Sequence, residues 1–360
     1  MPKRVGNLMP LICSLANLHE SYLRVVRGKE GKKAAIDFRQ DTDGNLLRIG
    51  RQLMDGTFDY SDRHSFTLFD PKERFITGPS FPMAVAFQAI MRICHPVFDD
   101  YQTNFSFASR PGYGTYKALE MAQRMAKEYE WFAIKDMVKF FYSLNHEVML
   151  RQLCRLFKDP LLLMHFQMII RSYDSRLVKG VPERIKSYVS SIDTGLGIGG
   201  PIGYLPMQYL ANHYLGVADH WAKERLGMEG MVRYMDDVVL FGHDKKTLLR
   251  KVRDYTNYVG DELHLMTHEP VINRTKYGIP YLGYVVYKDH LRLNKRSQER
   301  FLEKMLALAC GLREGRITER EYAAKASCLL AFVAKADSVD FRLKLATDYK
   351  GIYPEWDLAV

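Results

Sequence analysis

Tyr234-Met235-Asp236-Asp237 sets two adjacent carboxylates between apolar runs, Met231-Val232-Arg233 before them and Val238-Val239-Leu240-Phe241 after. The pattern reads as strand, tight turn, strand, with both acids at the tip. Like charges held that close raise each other's pKa unless a cation intervenes. Mg²⁺, which takes oxygen ligands and binds through one or two carboxylates plus substrate phosphates, would resolve the conflict. Asp is also a common turn residue, so the pair taken alone favours an ordinary acidic hairpin.

A second acid changes that balance. In Phe132-Ala133-Ile134-Lys135-Asp136-Met137-Val138-Lys139-Phe140-Phe141 a single Asp again ends a short apolar run. Two-metal phosphoryl transfer needs acidic side chains from separate strands, holding ions about 3.5–4 Å apart. Asp136, Asp236 and Asp237 supply that set, as catalytic and metal-binding residues together.

The elements that must position these acids follow from periodicity. Leu8 to Val26 has helical spacing, with Asn7 as its cap and the charged run from Arg27 to Lys33 ending it. Leu46 to Met54 is a short helix. Phe66–Phe69 and Arg74–Thr77 read as strands joined by Asp70-Pro71-Lys72-Glu73, a turn composition. Met83 to Phe98 is a buried helix and Thr115 to Tyr129 an amphipathic one. Helices over 146–157 and 161–173 follow the Asp136 strand, and the polar stretch Asp174 to Gly200 reads as a strand-and-loop insert. Gln208 to Trp221 is helical and leads into the acidic hairpin. Lys246 to Leu263 is helical, Tyr281 to Tyr287 a strand, and the chain after Ser297 mostly helix. Strands alternating with helices, with acids on two central strands, predict a palm-like α+β layer with a basic helical module appended.

Other residues could complete a phosphate site. Lys72 and Arg74 place two cations on one hairpin, and a point charge with a fork suits a triphosphate; a charged turn in water is equally consistent with these two alone. Ser109 to Thr115 resembles a flexible loop before a helix, without Walker spacing. Gly195-Leu196-Gly197-Ile198-Gly199-Gly200-Pro201-Ile202-Gly203 is glycine-rich and precedes a helix, so backbone there can approach a ligand closely. The Phe140-Phe141 pair is core by default, and a ring five residues past Asp136 could instead exclude a 2′-hydroxyl. His146, His213 and His220 lack ligand-like spacing and read as structural or surface residues.

Bulk properties agree with a polyanionic partner. The 360 residues carry 52 Lys+Arg against 42 Asp+Glu, a net +10. Half of that surplus falls between Lys288 and Leu345. The length implies two or three subdomains. Five scattered cysteines form neither a disulfide framework nor a zinc motif, which fits a reducing cytoplasm. No signal peptide is visible, nothing approaches about 18 apolar residues in a row, and a soluble cytoplasmic protein is expected.

The order of parts resembles a reverse transcriptase. Tyr234-Met235-Asp236-Asp237 resembles that family's most recognisable motif, the Asp136 segment its first metal-binding motif, and Asp70-Pro71-Lys72-Glu73-Arg74 the fingers hairpin that grips the incoming dNTP. Tyr281-Leu282-Gly283-Tyr284 resembles the primer grip. Within the superfamily the chain looks most like the bacterial and phage enzymes of diversity-generating retroelements, which lack an RNase H domain and open with a segment like Asn17-Leu18-His19-Glu20. Their fourth motif, Ile-Gly-x-x-x-Ser-Gln, is matched by Ile202-Gly203-Tyr204-Leu205-Pro206-Met207-Gln208 except at Met207. Ser80-Phe81-Pro82-Met83 stands where relatives usually carry an Asp-Arg pair.

The resemblance implies a right-hand architecture: fingers over 1–130, palm over 131–287 with a fingers-like insert near 174–200, and a basic helical thumb over 288–360. It implies two Mg²⁺ ions, with Mn²⁺ as a substitute. The dNTP site would comprise Lys72, Arg74, Phe141 as sugar gate, Ile202, Gly203 and Gln208, and the primer grip Leu282, Gly283 and Tyr284. A Gln in place of Ile202 would orient the nucleotide, so its loss implies error-prone copying at template adenines. Template-repeat RNA, the RNA/DNA hybrid and a small basic accessory protein are the implied partners, with oligomerisation left open. A retron-type or phage-defence reverse transcriptase making a dedicated cDNA, and an RNA-binding scaffold with a vestigial polymerase site, are the competing readings.

Overall fold

The structure is a computed structural model and describes residues 3–69, 73–192, 195 and 197–348. It is a mixed helix-and-sheet fold. The N-terminal part is helical: α1 (Met9–Ile12), α2 (Leu15–Val26), α3 (Lys33–Arg39) and α4 (Thr42–Met54). The single helix expected from Leu8 to Val26 is two. Ser14 is extended and its hydroxyl accepts from Asn17 N–H, so it starts a new helix. Asn7 does not cap the first helix; it has φ +59, and Leu8 takes the cap position. The α3 helix follows the charged run that ends α2, and Ala35 and Phe38, three residues apart, supply its buried face.

An antiparallel hairpin, β1 (Arg63–Phe69) and β2 (Glu73–Pro79), follows, and then α5 (Phe81–Tyr101). By length and apolar composition alone α5 could cross a membrane, contrary to the sequence expectation that no segment comes near. Its residues Met83, Val85, Ala86, Phe87, Ile90 and Cys94 are instead buried, with α2 and α10 (Leu205–Glu224) packed on it. A core helix of a folded domain satisfies the same criterion.

In chain order α6 (Thr115–Glu128) precedes β3 (Trp131–Lys135), and α7 (His146–Leu156), α8 (Pro160–Arg171) and α9 (Glu183–Ser190) follow it. The polar stretch from Asp174 to Gly200 thus carries a helix and, among the described residues, no strand. Ile185 and Val189, four apart, bury one face of α9 against Phe75, Tyr142 and Tyr173. Helical spacing won there because the two apolar residues recur at one turn, not every second residue.

Beyond α10 come β4 (Met231–Tyr234), β5 (Asp237–Gly242), α11 (Lys245–Leu263), β6 (Val271–Arg274), β7 (Ile279–Tyr281), β8 (Tyr284–Val286) and β9 (Leu291–Leu293). The main sheet has the order β4-β5-β3-β6, antiparallel throughout, and β7-β8-β9 forms a separate antiparallel sheet. The strand expected over Tyr281–Tyr287 is therefore a hairpin. Leu282 and Gly283 both have positive φ, the requirement of a two-residue type I′ turn, and Tyr281 pairs with Tyr284. The chain ends in α12 (Lys295–Arg313), α13 (Glu319–Ala334) and α14 (Val339–Asp348). A capping box between Thr318 and Glu321 starts α13.

Strand alternation divides the core. Ala133, Val238 and Leu240 point into a core shared with the N-terminal helices, α7, α8, α10 and α11. Phe132, Val239 and Phe241 point the other way, into a second core with α6, the β7–β9 sheet and the C-terminal helices. The main sheet is thus buried on both faces, and its turn ends carry the polar groups.

Candidate active site

The β4–β5 hairpin closes at the Tyr234–Asp237 pair, leaving Met235 and Asp236 as the two turn residues. Met235 has φ +55, an uncommon conformation for a side chain of that size. Beneath it Arg233 is fully buried, and its Nη1 donates to the Met235 carbonyl at 3.0 Å. The guanidinium is itself anchored: Nε donates to both Asp219 oxygens at 2.8 Å, Nη2 to Asp219 Oδ2 at 2.6 Å, and Nη1 to Asn212 Oδ1 at 2.8 Å. Ser106 Oγ accepts from Nη2 at 3.1 Å. Buried, fully hydrogen-bonded charge of this kind fixes geometry more than it adds stability. The sequence reading passed over Asp219 and Asn212; the signal available was a lone Arg inside an otherwise apolar strand.

Asp136 directly follows β3, whose Lys135 pairs with Val238 of β5, so continuing the register brings Asp136 to the hairpin tip. Burial raises the Asp236 carboxyl above the ordinary carboxylate range, and the charge of Asp136 adds to the rise. A hydrogen bond from its own backbone and the charges of Arg74 and Arg233 oppose it. Asp136, just past β3, and Arg74 on β2 thus both act electrostatically on Asp236 in the hairpin turn. Asp237 is exposed, and its carbonyl accepts from the Tyr281 hydroxyl at 3.5 Å. Burial first, and then the Asp237 charge, hold that hydroxyl well above its ordinary pKa. Among the described residues no three His, Cys, Asp or Glu side chains gather at metal-holding spacing. The register sets Asp136 beside the hairpin tip, and its charge acts on Asp236.

The β1–β2 hairpin is locked to the glycine-rich loop. Thr77 N–H donates to the Ile202 carbonyl at 2.9 Å, and Gly203 has φ +130. A Cβ on Gly203 would lie 2.5 Å from the Thr77 carbonyl oxygen, so only glycine permits this approach. The Tyr142 hydroxyl accepts from Phe75 N–H at 3.2 Å, and Glu73 pairs with Arg184 at 2.6 Å. Lys72, with Asp70 and Pro71, lies outside the described residues.

Phe141 is half-buried, packs edge-on against Phe140, and its carbonyl accepts from Gly200 N–H at 2.7 Å. The loop therefore runs beside Phe141. Ile202 is half-buried against Phe75 and Tyr142, and Gln208 is exposed on α10. Met207 is fully buried, and its sulfur fills the space a Cβ on Gly200 would take. Leu282 and Gly283 form the β7–β8 turn, where the Gly283 carbonyl accepts from Ser297 Oγ at 2.7 Å. Tyr284 is buried, and its hydroxyl donates to the Phe332 carbonyl at 2.7 Å.

The Ser109–Thr115 loop is engaged internally. Arg110 pairs with Asp99 at 2.6 Å and donates to the carbonyls of Thr103 and Ser106, and Gly114 N–H donates to Phe107. The histidines are held within the fold. His146 Nε2 meets the Gly199 carbonyl at 2.7 Å, and His220 pairs with Glu224. His213 is pushed down to about 3 by burial, with the charges of His220 and Arg233 adding to the effect.

No protein-family model matches this chain, and no curated protein matches it. Among solved structures it aligns with a telomerase from Candida albicans, described in complex with a fragment of telomeric RNA, at TM-score 0.43 and 13% identity, covering 81% of this chain and 55% of that one. A Candida tropicalis telomerase in a similar complex aligns at TM-score 0.44 and 9% identity, over 81% and 55%. An apo telomerase from Candida tropicalis, truncated from its C-terminal domain, aligns at 0.42 and 10%, over 65% and 55%. The chain spans little more than half the length of each.

Proposed function

We propose that this chain is an RNA-directed DNA polymerase that extends a primer 3′-hydroxyl along an RNA template. The observation carrying the reading is the β3–β5 register, which brings Asp136 to the tip of the β4–β5 hairpin where Asp236 lies, within reach of each other's charge. Two acids from separate strands whose charges oppose each other fit a divalent cation, because Mg²⁺ binds through one or two carboxylates and completes its shell with phosphate oxygens. When bound, Mg²⁺ neutralises charge on the attacking and leaving oxygens of in-line phosphoryl transfer. Asp136 and Asp236 would hold the cation, with Asp237 next in the chain to Asp236. Arg74, whose positive charge acts on Asp236, would hold the triphosphate beside it. Catalysis then rests on positioning and charge neutralisation, with little covalent chemistry asked of the protein.

In this reading residues 1–130 are fingers, 131–287 palm and 288–360 thumb, with the Leu282-Gly283-Tyr284 turn as primer grip and Phe141 as sugar gate. The finer assignment is a diversity-generating enzyme, whose error-prone copying is concentrated at template adenines. It is supported by Ile202-Gly203 and Gln208 on the fourth motif, and by an apolar Ile202 where a hydrogen-bonding Gln would orient the nucleotide. A template-repeat RNA and a small basic accessory protein are the partners this assignment implies. The test is primer extension with Mg²⁺ and dNTPs on an RNA template. Wild-type protein extends the primer and Asp236→Asn does not, although it still folds; equal rates for the two would sink the assignment.

A further inference from the structure

A second basic site lies apart from the acids. A cleft of about 1160 Å³ opens between α11 and the end of β3 and is lined by Lys135, Lys245, Lys246, Arg250 and Arg253, with Glu269 as its acid. The four cations on α11 are exposed. Among the described residues none of these four is in a salt bridge. Lys135 is buried, and its ammonium donates to Thr267 Oγ1 at 2.7 Å and to the His268 carbonyl at 2.8 Å.

We infer that this cleft binds the phosphate backbone of a folded RNA, at a site separate from the primer–template. Residues 245 to 253 advance about 12 Å along the helix, enough to follow several successive phosphates of one strand. A flat basic surface would suit a membrane; a walled cleft suits a strand entering it. Trp131 decides between RNA and an acidic peptide. Lys245, which lines the cleft, sits over its half-buried ring at 5.5 Å, and Arg274, paired with Glu130, over it at 5.1 Å, so an aromatic ring adjoins the cleft among cations. Unpaired bases stack on such rings while the cations hold their phosphates.

Separation from the acids follows from the strand. Lys135 pairs with Val238 on the sheet face that α11 covers, and successive residues of a strand point to opposite faces. The inference deepens the polymerase reading by naming where RNA outside the copied segment is held.

The test uses the full chain, a labelled hairpin RNA with an unpaired loop, and a short oligo(dT)-primed poly(rA) duplex. Arg250→Glu/Arg253→Glu should bind the hairpin RNA about tenfold more weakly, with the salt dependence of log K reduced by about 1.5. Extension of the short duplex should be unchanged, and Arg250→Lys/Arg253→Lys should restore most of the binding. Trp131→Ala should weaken binding to the looped hairpin and leave a blunt duplex unaffected. Unchanged hairpin affinity in the double variant overturns the site, as does an equal loss on the short duplex, or displacement of the hairpin by poly-glutamate as readily as by RNA. If wild-type protein extends no primer, the polymerase reading fails, and the hairpin measurement still tests the cleft on its own.

Discussion

The guanidinium of Arg233 grips the carboxylate of Asp219 through both oxygens, and neither side chain is exposed to solvent. The same guanidinium holds the carbonyl of Met235, the strained residue beside Asp236. The pair therefore connects the interior of α10 to the turn that presents the acids.

Arg233→Met should cost about 3–5 kcal/mol, because Asp219 is left charged and unpaired in the core. Arg233→Met/Asp219→Leu should recover most of that stability in urea titrations, while primer extension stays low because the Met235 carbonyl has lost its donor. Activity recovering together with stability would show the pair to be structural only.

The acids should make stability depend on pH in a definite direction. The Asp236 carboxyl is raised in the fold, by burial and then by Asp136, so ionising it costs native-state stability as pH rises through that raised range. Asp136→Asn removes one repulsion and should melt higher than wild type at neutral pH. The difference should shrink below about pH 4, where Asp236 is protonated in folded and unfolded chains alike. Mg²⁺ should raise the wild-type Tm at neutral pH, and raise that of Asp236→Asn less. A Tm for Asp136→Asn that matches wild type across the pH range would contradict the coupling.

Gly203→Ala combines an unfavourable φ with a Cβ 2.5 Å from the Thr77 carbonyl. It should destabilise by about 1–3 kcal/mol and loosen the β1–β2 hairpin from the glycine-rich loop. In steady-state extension the KM for dNTP should rise more than kcat falls. A KM equal to wild type would separate this contact from the nucleotide site.

Ile202→Gln should lower misincorporation at template adenine, up to about tenfold, because a restored polar contact widens the gap between right and wrong transition states. Sequencing cDNA from both proteins on one template reads the change. Identical error spectra would remove the basis for the diversifying assignment.

Local chemistry explains which elements were legible in the sequence. The β4–β5 and β1–β2 hairpins show as apolar runs bracketing turn residues, and the amphipathic α6 and α11 show by their spacing. The α9 helix was hidden because Ile185 and Val189 are its only buried apolar residues in a polar stretch. The β7–β8 turn was hidden because Leu282-Gly283 sits inside an apolar run, where only positive φ at both positions reveals a reversal. The apolar length of α5 was visible as a helix, and its burial was set by α2 and α10 folding over it.

By itself the chain determined that two acids cap a hairpin and that another acid ends a separate strand, since side-chain type and turn chemistry are written residue by residue. Which acids meet was decided by the pairing of β3 with β5 and by the docking of β2 on the glycine-rich loop. Those contacts join segments far apart in the chain, and their register is fixed by the burial of both sheet faces. Tertiary packing likewise brought Asp219 under Arg233, set the Asp237 carbonyl against the Tyr281 hydroxyl and brought the charge of Asp136 to bear on Asp236. No local pattern encodes such distances, because the free energy that sets them belongs to the assembled core.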